Sequence, residues 1–91
     1  MVTIRRIVGD SMRPTFSPGT IVLGLRFIRP RVGNIVVAEY DGREIIKRVA
    51  HIGSEGVYVL GDNADQSTDS RSYGWLAPQT IKSVIVGSIK R

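Results

Sequence analysis

Asn34-Ile35-Val36-Val37-Ala38-Glu39-Tyr40-Asp41-Gly42-Arg43-Glu44-Ile45-Ile46-Lys47-Arg48-Val49-Ala50-His51-Ile52 decides the fold. Two runs rich in Val and Ile, Asn34 to Tyr40 and Glu44 to Ile52, flank Asp41-Gly42. Glycine accepts the positive φ that a tight primed turn demands, so Asp-Gly between such runs is a strong hairpin signal. Similar runs recur outward on both sides: Ile4 to Val8 and Thr20 to Arg26 before the hairpin, Val57 to Leu60 and Ile81 to Ile89 after it. Turn-forming clusters separate them: Ser17-Pro18-Gly19, Pro30-Arg31-Val32-Gly33 and Gly53-Ser54-Glu55-Gly56. No window carries an amphipathic helix; at most one helical turn follows Ser11. The expectation is a mostly β fold, a small antiparallel sandwich or partly closed barrel of short strands with little helix. A chain of 91 residues buries only ~60–65% of its unfolded surface, which allows one core and a single domain over 1–91.

Composition narrows the function. A hydrophobic fraction of 42% with 23% charged residues is that of a globular chain. The absence of cysteine excludes disulfide scaffolds, iron–sulfur clusters, cysteine-ligated zinc and thiol nucleophiles. No cofactor or metal is expected. The longest apolar stretches, such as Ile35 to Ala38 and Val57 to Leu60, fall far short of the ~20 residues of a membrane helix, and the N-terminus lacks a signal-peptide pattern. The chain therefore reads as soluble, cytoplasmic or membrane-peripheral in a prokaryote. Its net charge of +5 invites a nucleic-acid or anionic-lipid partner. The basic residues are nevertheless spread out: Arg5 and Arg6, then Arg26, Arg29 and Arg31, then Lys47 and Arg48, then Lys90 and Arg91. A generally basic surface explains them, and no nucleic acid is expected.

One segment stands apart from the strand pattern. Gly61 to Gly74 is a polar loop of fourteen residues, dense in short side chains that bond to backbone. Loops of this length in a small domain are usually functional. A calcium loop starting at Asp65 fails, because Ser70 stands where the turn glycine belongs and Leu76 where the bidentate Glu belongs. The lone His51 ends a strand without a distinguishing pattern, so a Ser-His-Asp triad is not indicated.

Ser11 and Lys47 remain as the reactive pair. Ser11 lies between a strand end and a Pro-limited turn, in Val8-Gly9-Asp10-Ser11-Met12-Arg13-Pro14-Thr15. Such a junction can hold a hydroxyl at the surface beside free backbone N–H groups, the parts of a nucleophile and an oxyanion hole. Lys47 sits mid-strand, with Ile45 and Val49 as same-face neighbours at two-residue spacing. Burial on that face disfavours the ammonium, and a neutral amine can deprotonate a serine: the Ser-Lys alternative to the triad.

Taken together, these segments resemble the type I signal peptidases over most of the chain and in order. Gly9 to Thr15, with Pro18-Gly19 after it, is similar to that family's nucleophile box. Pro30 to Val37 is similar to its second box, with Asn34 in place of the usual Asp. Ile46-Lys47-Arg48-Val49 is similar to the general-base box, and Gly61 to Arg71, followed by Tyr73-Gly74, to the last box. The resemblance implies Ser11 as nucleophile, Lys47 as general base, Ser67 orienting the lysine, Asp69 and Arg71 as a supporting ion pair, and Asp62 holding the loop. Gly9 stands where some members carry a Ser as second oxyanion donor. The implied activity is a serine endopeptidase that removes a leader or signal peptide from a precursor after small residues, through an acyl-enzyme. With thirteen residues between Lys47 and Gly61 and no inserted domain, the chain looks like a minimal soluble core. The soluble proteases that mature nickel-type superoxide dismutase are similar.

Two alternatives stand beside this reading. A LexA-type self-cleaving peptidase shares the Ser-Lys dyad and β-rich core. Only ten residues precede Ser11, so no self-cleavage site is expected upstream of it within this chain. A small basic β-barrel that binds nucleic acid or anionic lipid is the other, with Tyr73 and Trp75 as stacking surfaces or as walls of a peptide cleft. Peripheral membrane contact would use Phe16, Phe27 and Ile28 among Arg13, Arg26 and Arg29.

Overall fold

The Asp41-Gly42 turn takes the left-handed conformation at both positions, with φ of +53° and +75°. It sets β3 (Ile35–Tyr40) against β4 (Arg43–Gly53), with Val36 opposite Lys47 and Tyr40 opposite Arg43. Four further strands complete the architecture: β1 (Val2–Arg6), β2 (Ile21–Leu25), β5 (Gly56–Leu60) and β6 (Ile81–Ile89). These features belong to a computed structural model that describes residues 1–89. Lys90 and Arg91, the last of the scattered basic pairs, lie outside the described residues.

The strands form one mostly antiparallel sheet in the order β1-β2-β6-β3-β4-β5. Its end strands β1 and β5 do not pair with each other, so the sheet stays open. Register shifts at Leu23/Gly24, Val37/Ala38 and Val49/His51 mark bulges, which bend strands and increase their twist. β6 separates β2 from β3 and runs antiparallel to both. The segment Arg26 to Asn34 therefore crosses the sheet to join two strands that run the same way. Among the described residues no helix is long and apolar enough to cross a membrane.

The main apolar cluster lies on one face of this sheet, while Ile35 and Val37 are buried on the other. Val36 and Ala38 on β3, Val49 on β4, Val57 and Val59 on β5 and Val84 on β6 alternate onto the cluster's face, with Leu76, and Ile45, Tyr73 and Ile81 close its rim. Central β3 is buried from Ile35 through Ala38, which is why that stretch reads as a continuous apolar run rather than an alternating one. The outer edge of β5 is covered by Leu76, which exchanges two backbone hydrogen bonds with Val57 at 2.8 and 2.7 Å.

Two local departures from the sequence pattern matter for the site. β1 ends at Arg6 rather than Val8. Ile7 still exchanges backbone bonds with Thr20 and Gly19, but Gly9, with φ of +79°, then turns the chain into the segment that carries Ser11. The polar loop also holds some regular structure: a 3-10 turn over Ala64–Gln66 and one helical turn, α1 (Ser70–Tyr73). Asp69 caps α1 by accepting the Arg71 N–H.

Candidate active site

Lys47 is placed by strand parity. On β4 it shares the core face with Ile45 and Val49 and lies opposite fully buried Val36. It is only 6% exposed. Burial pulls its ammonium below the ordinary lysine range; the Asp69 carboxylate opposes that pull and the Arg71 guanidinium adds to it. Its Nζ donates to Ser67 Oγ at 3.1 Å.

The orientation of that bond is fixed one step further out. Ser67 Oγ donates its single proton to Asp69 Oδ2 at 2.8 Å, so towards Lys47 it offers lone pairs only. Asp69, 1% exposed, also accepts from the Gly61 N–H at 2.8 Å and from Arg71 through Nε at 2.9 Å, Nη2 at 2.7 Å and its backbone N–H at 3.2 Å. Burial alone would raise its pKa, but the Arg71, Gly61 and Ser67 hydrogen bonds outweigh that and hold the carboxyl far below the ordinary range. A buried carboxylate thus stays charged, keeps Ser67 an acceptor, and leaves Lys47 tethered by one N–H.

Ser11 is placed by the turn after Gly9. Met12, buried beneath it, anchors the segment, and the bonds from Arg13 N–H to Asp10 O (3.1 Å) and Phe16 N–H to Met12 O (2.8 Å) close it. The Ser11 N–H meets no protein acceptor among the described residues, which leaves it free to bind a developing oxyanion. Nothing lies within 4 Å of where a Gly9 side chain would begin, so the backbone beside Ser11 is open. Ser11 and Lys47 line one groove of about 260 Å³ together with Ile7, Val8, Met12 and Ile45. No hydrogen bond joins Ser11 Oγ to Lys47 Nζ among the described residues; the lysine is held from the Ser67 side.

The three residues that follow β5 each tie down one part of this arrangement. The Gly61 N–H serves Asp69. Asp62 pairs with Arg48 through two 2.8 Å bonds and accepts from the Thr15 hydroxyl, linking β4 to the serine segment. Arg48 holds its carboxyl below the ordinary range against the opposing effect of burial. Asn63 donates its N–H to Ser11 O at 2.8 Å and its side-chain amide to Asp10 O at 3.0 Å. Sequence reasoning gave no role to Gly61 or Asn63. The available signal was their position, a Gly-Asp-Asn cluster directly after a strand.

Gly61 is where the loop closes on both sides of the site. A side chain begun there would lie 2.1 Å from Ser67 Oγ and 2.8 Å from Ser11 O. Gly61→Ala is expected to cost about 1–3 kcal/mol through overpacking and to displace one or both serines. Thermal unfolding and peptide cleavage, measured on the same preparation, check this.

Other candidates lie elsewhere. Tyr73 stacks on Tyr40 with ring centroids 3.9 Å apart and packs against the core; burial pushes its phenol up to about 12. Trp75 meets Tyr58 edge-on at 5.2 Å, with His51 6.4 Å away. None of Tyr73, Trp75 and His51 lines the groove of Ser11 and Lys47. The expectation that Tyr73 and Trp75 wall a peptide cleft is corrected for this groove: Tyr73 turns inward to the core, and Trp75 lies beside β5, at the far end of the sheet from β1.

The Peptidase S24-like family model matches residues 1–75, from β1 through Trp75, and so covers every residue described above as part of the site. No curated protein matches the chain. The matched family is that of the LexA-like peptidases, the alternative of the sequence reading; the match does not single out the type I signal peptidases or the superoxide dismutase maturation proteases that the motifs resemble.

Proposed function

The chain belongs to the Peptidase S24-like family, and from that premise we propose that it is a serine endopeptidase with Ser11 as nucleophile and Lys47 as general base. One observation carries the reading. A lysine 6% exposed on an apolar face, bonded to Ser67, shares its groove with Ser11, whose backbone N–H has no protein acceptor among the described residues. A surface lysine has no need of a buried carboxylate to orient its hydrogen-bond partner.

The chemistry follows from these groups. A substrate strand enters the groove, and Ser11 Oγ attacks the scissile carbonyl while its proton passes to the neutral Lys47 amine. The negative oxygen of the tetrahedral intermediate is met by the Ser11 N–H. The C–N bond breaks as the Lys47 ammonium returns the proton to the leaving amine, which leaves an ester on Ser11. Water attacks that ester, Lys47 takes its proton, and collapse releases the carboxylate product and restores the Ser11 hydroxyl. Asp69 and Arg71 remain charged throughout; Ser67 keeps the amine aimed as its charge changes.

The substrate class we propose is a leader or signal peptide on a precursor protein, cut after small residues. The resemblance of four ordered motifs to the type I signal peptidases supports it, as does the modest size of the groove. The family match favours a second reading, LexA-type cleavage of a bond in a partner or in a longer form of its own polypeptide. A peptide library rich in small residues, presented to wild type, Ser11→Ala and Lys47→Ala, tests the peptidase reading. Cleavage is expected to fall by ~10⁴-fold or more in both variants; activity that survives in both overturns it. A leader-bearing precursor then separates the two substrate classes, since only the first reading requires that it be cut.

A further inference from the structure

The crossover between β2 and β3 carries a surface that neither the core nor the proposed reaction uses. Phe27 is 91% exposed, Val32 63% and Ile28 41%. Phe27 also has φ of +67°, a left-handed conformation that is unusual for a bulky residue. Large apolar groups are ordinarily exposed singly; here Phe27 and Ile28 line one depression with Arg26 and Arg29, and Val32 lines a neighbouring one with Arg29 and Arg31. Arg26, Arg29 and Arg31 interleave with them, and none forms an ion pair among the described residues. No Asp or Glu occurs between Asp10 and Glu39, so the segment itself offers no acidic partner.

We propose that the Arg26 to Gly33 crossover is a membrane-surface anchor that seats Phe27 in the headgroup region of an anionic bilayer, with the three arginines on lipid phosphates. Charge complementarity selects that occupant. Unpaired arginines are drawn to an anionic leaflet, and exposed apolar side chains gain by leaving water at its boundary. Single-stranded nucleic acid uses aromatic rings as stacking platforms; here one ring is accompanied by aliphatic Ile28 and Val32, which offer no stacking face. No residue from Arg26 to Gly33 lines the groove of Ser11 and Lys47. The Arg26 N–H bonds to Met1 O, at the end of β1 away from Ser11. The inference does not depend on the peptidase reading.

Flotation of the full chain with vesicles of phosphatidylcholine alone, and of phosphatidylcholine with phosphatidylglycerol, tests it. Binding is expected only to the anionic vesicles. It should weaken ~10-fold or more in Phe27→Ser and in the double variant Arg29→Glu/Arg31→Glu. Because these side chains are exposed, thermal midpoints should stay unchanged, and Phe27→Gly should unfold no earlier than wild type because it relieves the positive φ. Failure to float at low salt overturns the proposal. So does flotation that Phe27→Ser leaves intact, since charge alone then explains it, or binding to an oligonucleotide tighter than to the anionic vesicles.

Discussion

Lys47→Met is expected to lower kcat/KM by ~10⁴-fold or more while leaving the fold at least as stable as wild type. A lost general base accounts for the rate. The stability follows from position: the side chain lies among Ile45, Val49 and Val36, where a thioether of similar length packs without the cost of burying an amine. Ser67 loses a donor but keeps its bond to Asp69, so no buried proton is left without an acceptor. The change in unfolding free energy is expected to be neutral or favourable by ~1 kcal/mol. The pH dependence supplies a sign. Burial puts the folded-state pKa of Lys47 below the ordinary 10.5. Between that depressed value and 10.5 the native state holds fewer protons than the unfolded state, so stability rises with pH there. Lys47→Met should remove that rise, which paired thermal unfolding curves across alkaline pH will show. In wild type the rising limb of kcat/KM should fall below the ordinary lysine range for the same reason.

Asp69→Asn is expected to give the largest loss of stability of any single change at the site. The carboxylate is buried and accepts from Gly61, Ser67 and Arg71, whereas an amide turns a donor towards at least one of these donors. The cost should be about 2–4 kcal/mol, most of it from the buried acceptors. The exposed Arg71 side chain adds little, because solvent screens it. At about 4–8 °C per kcal/mol for a chain of this size, the thermal midpoint should drop by ~10 °C or more. The folded-state pKa of Asp69 lies below its ordinary 3.8, so its contribution is fully present above that value and is lost as pH falls through the depressed one. Wild type and Asp69→Asn should therefore converge in strongly acid solution. Cleavage should fall as well, since Ser67 no longer holds its proton away from Lys47.

How much of this was legible in the sequence depended on range. Asp41-Gly42 and its flanking runs specify β3 and β4 through turn chemistry and period-two spacing alone, and the face carrying Ile45, Lys47 and Val49 follows from that spacing. The depth of Lys47 does not. It depends on Val36 across the hairpin and on Ser67, twenty residues downstream. The insertion of β6 between β2 and β3 is a long-range pairing that leaves no local mark. α1 is four residues long, shorter than any periodicity can reveal, and exists because Asp69 caps it. Tyr73 and Trp75 share one loop exit in sequence but face different neighbours, since Tyr73 reaches Tyr40 and the core while Trp75 meets Tyr58 on the edge strand. The Ser-Lys dyad and the β-rich core are common to the signal-peptidase and LexA-type readings; the choice of the signal-peptidase branch rests on the last box, Gly61 to Arg71, which the family match does not single out.

Acylation of Ser11 tests the Ser-Lys account most directly. The intact chain, treated with a small activated ester across a range of pH, is digested and its adduct located by mass spectrometry. The account predicts one serine adduct, on the peptide carrying Ser11, beside the ordinary acylation of exposed amines such as the Met1 N-terminus and Lys82. Its rate of formation should rise with the deprotonation of Lys47, below the ordinary lysine range, and collapse in Lys47→Met. Acylation of another serine in place of Ser11, or Ser11 acylation equally fast in Lys47→Met, would contradict it.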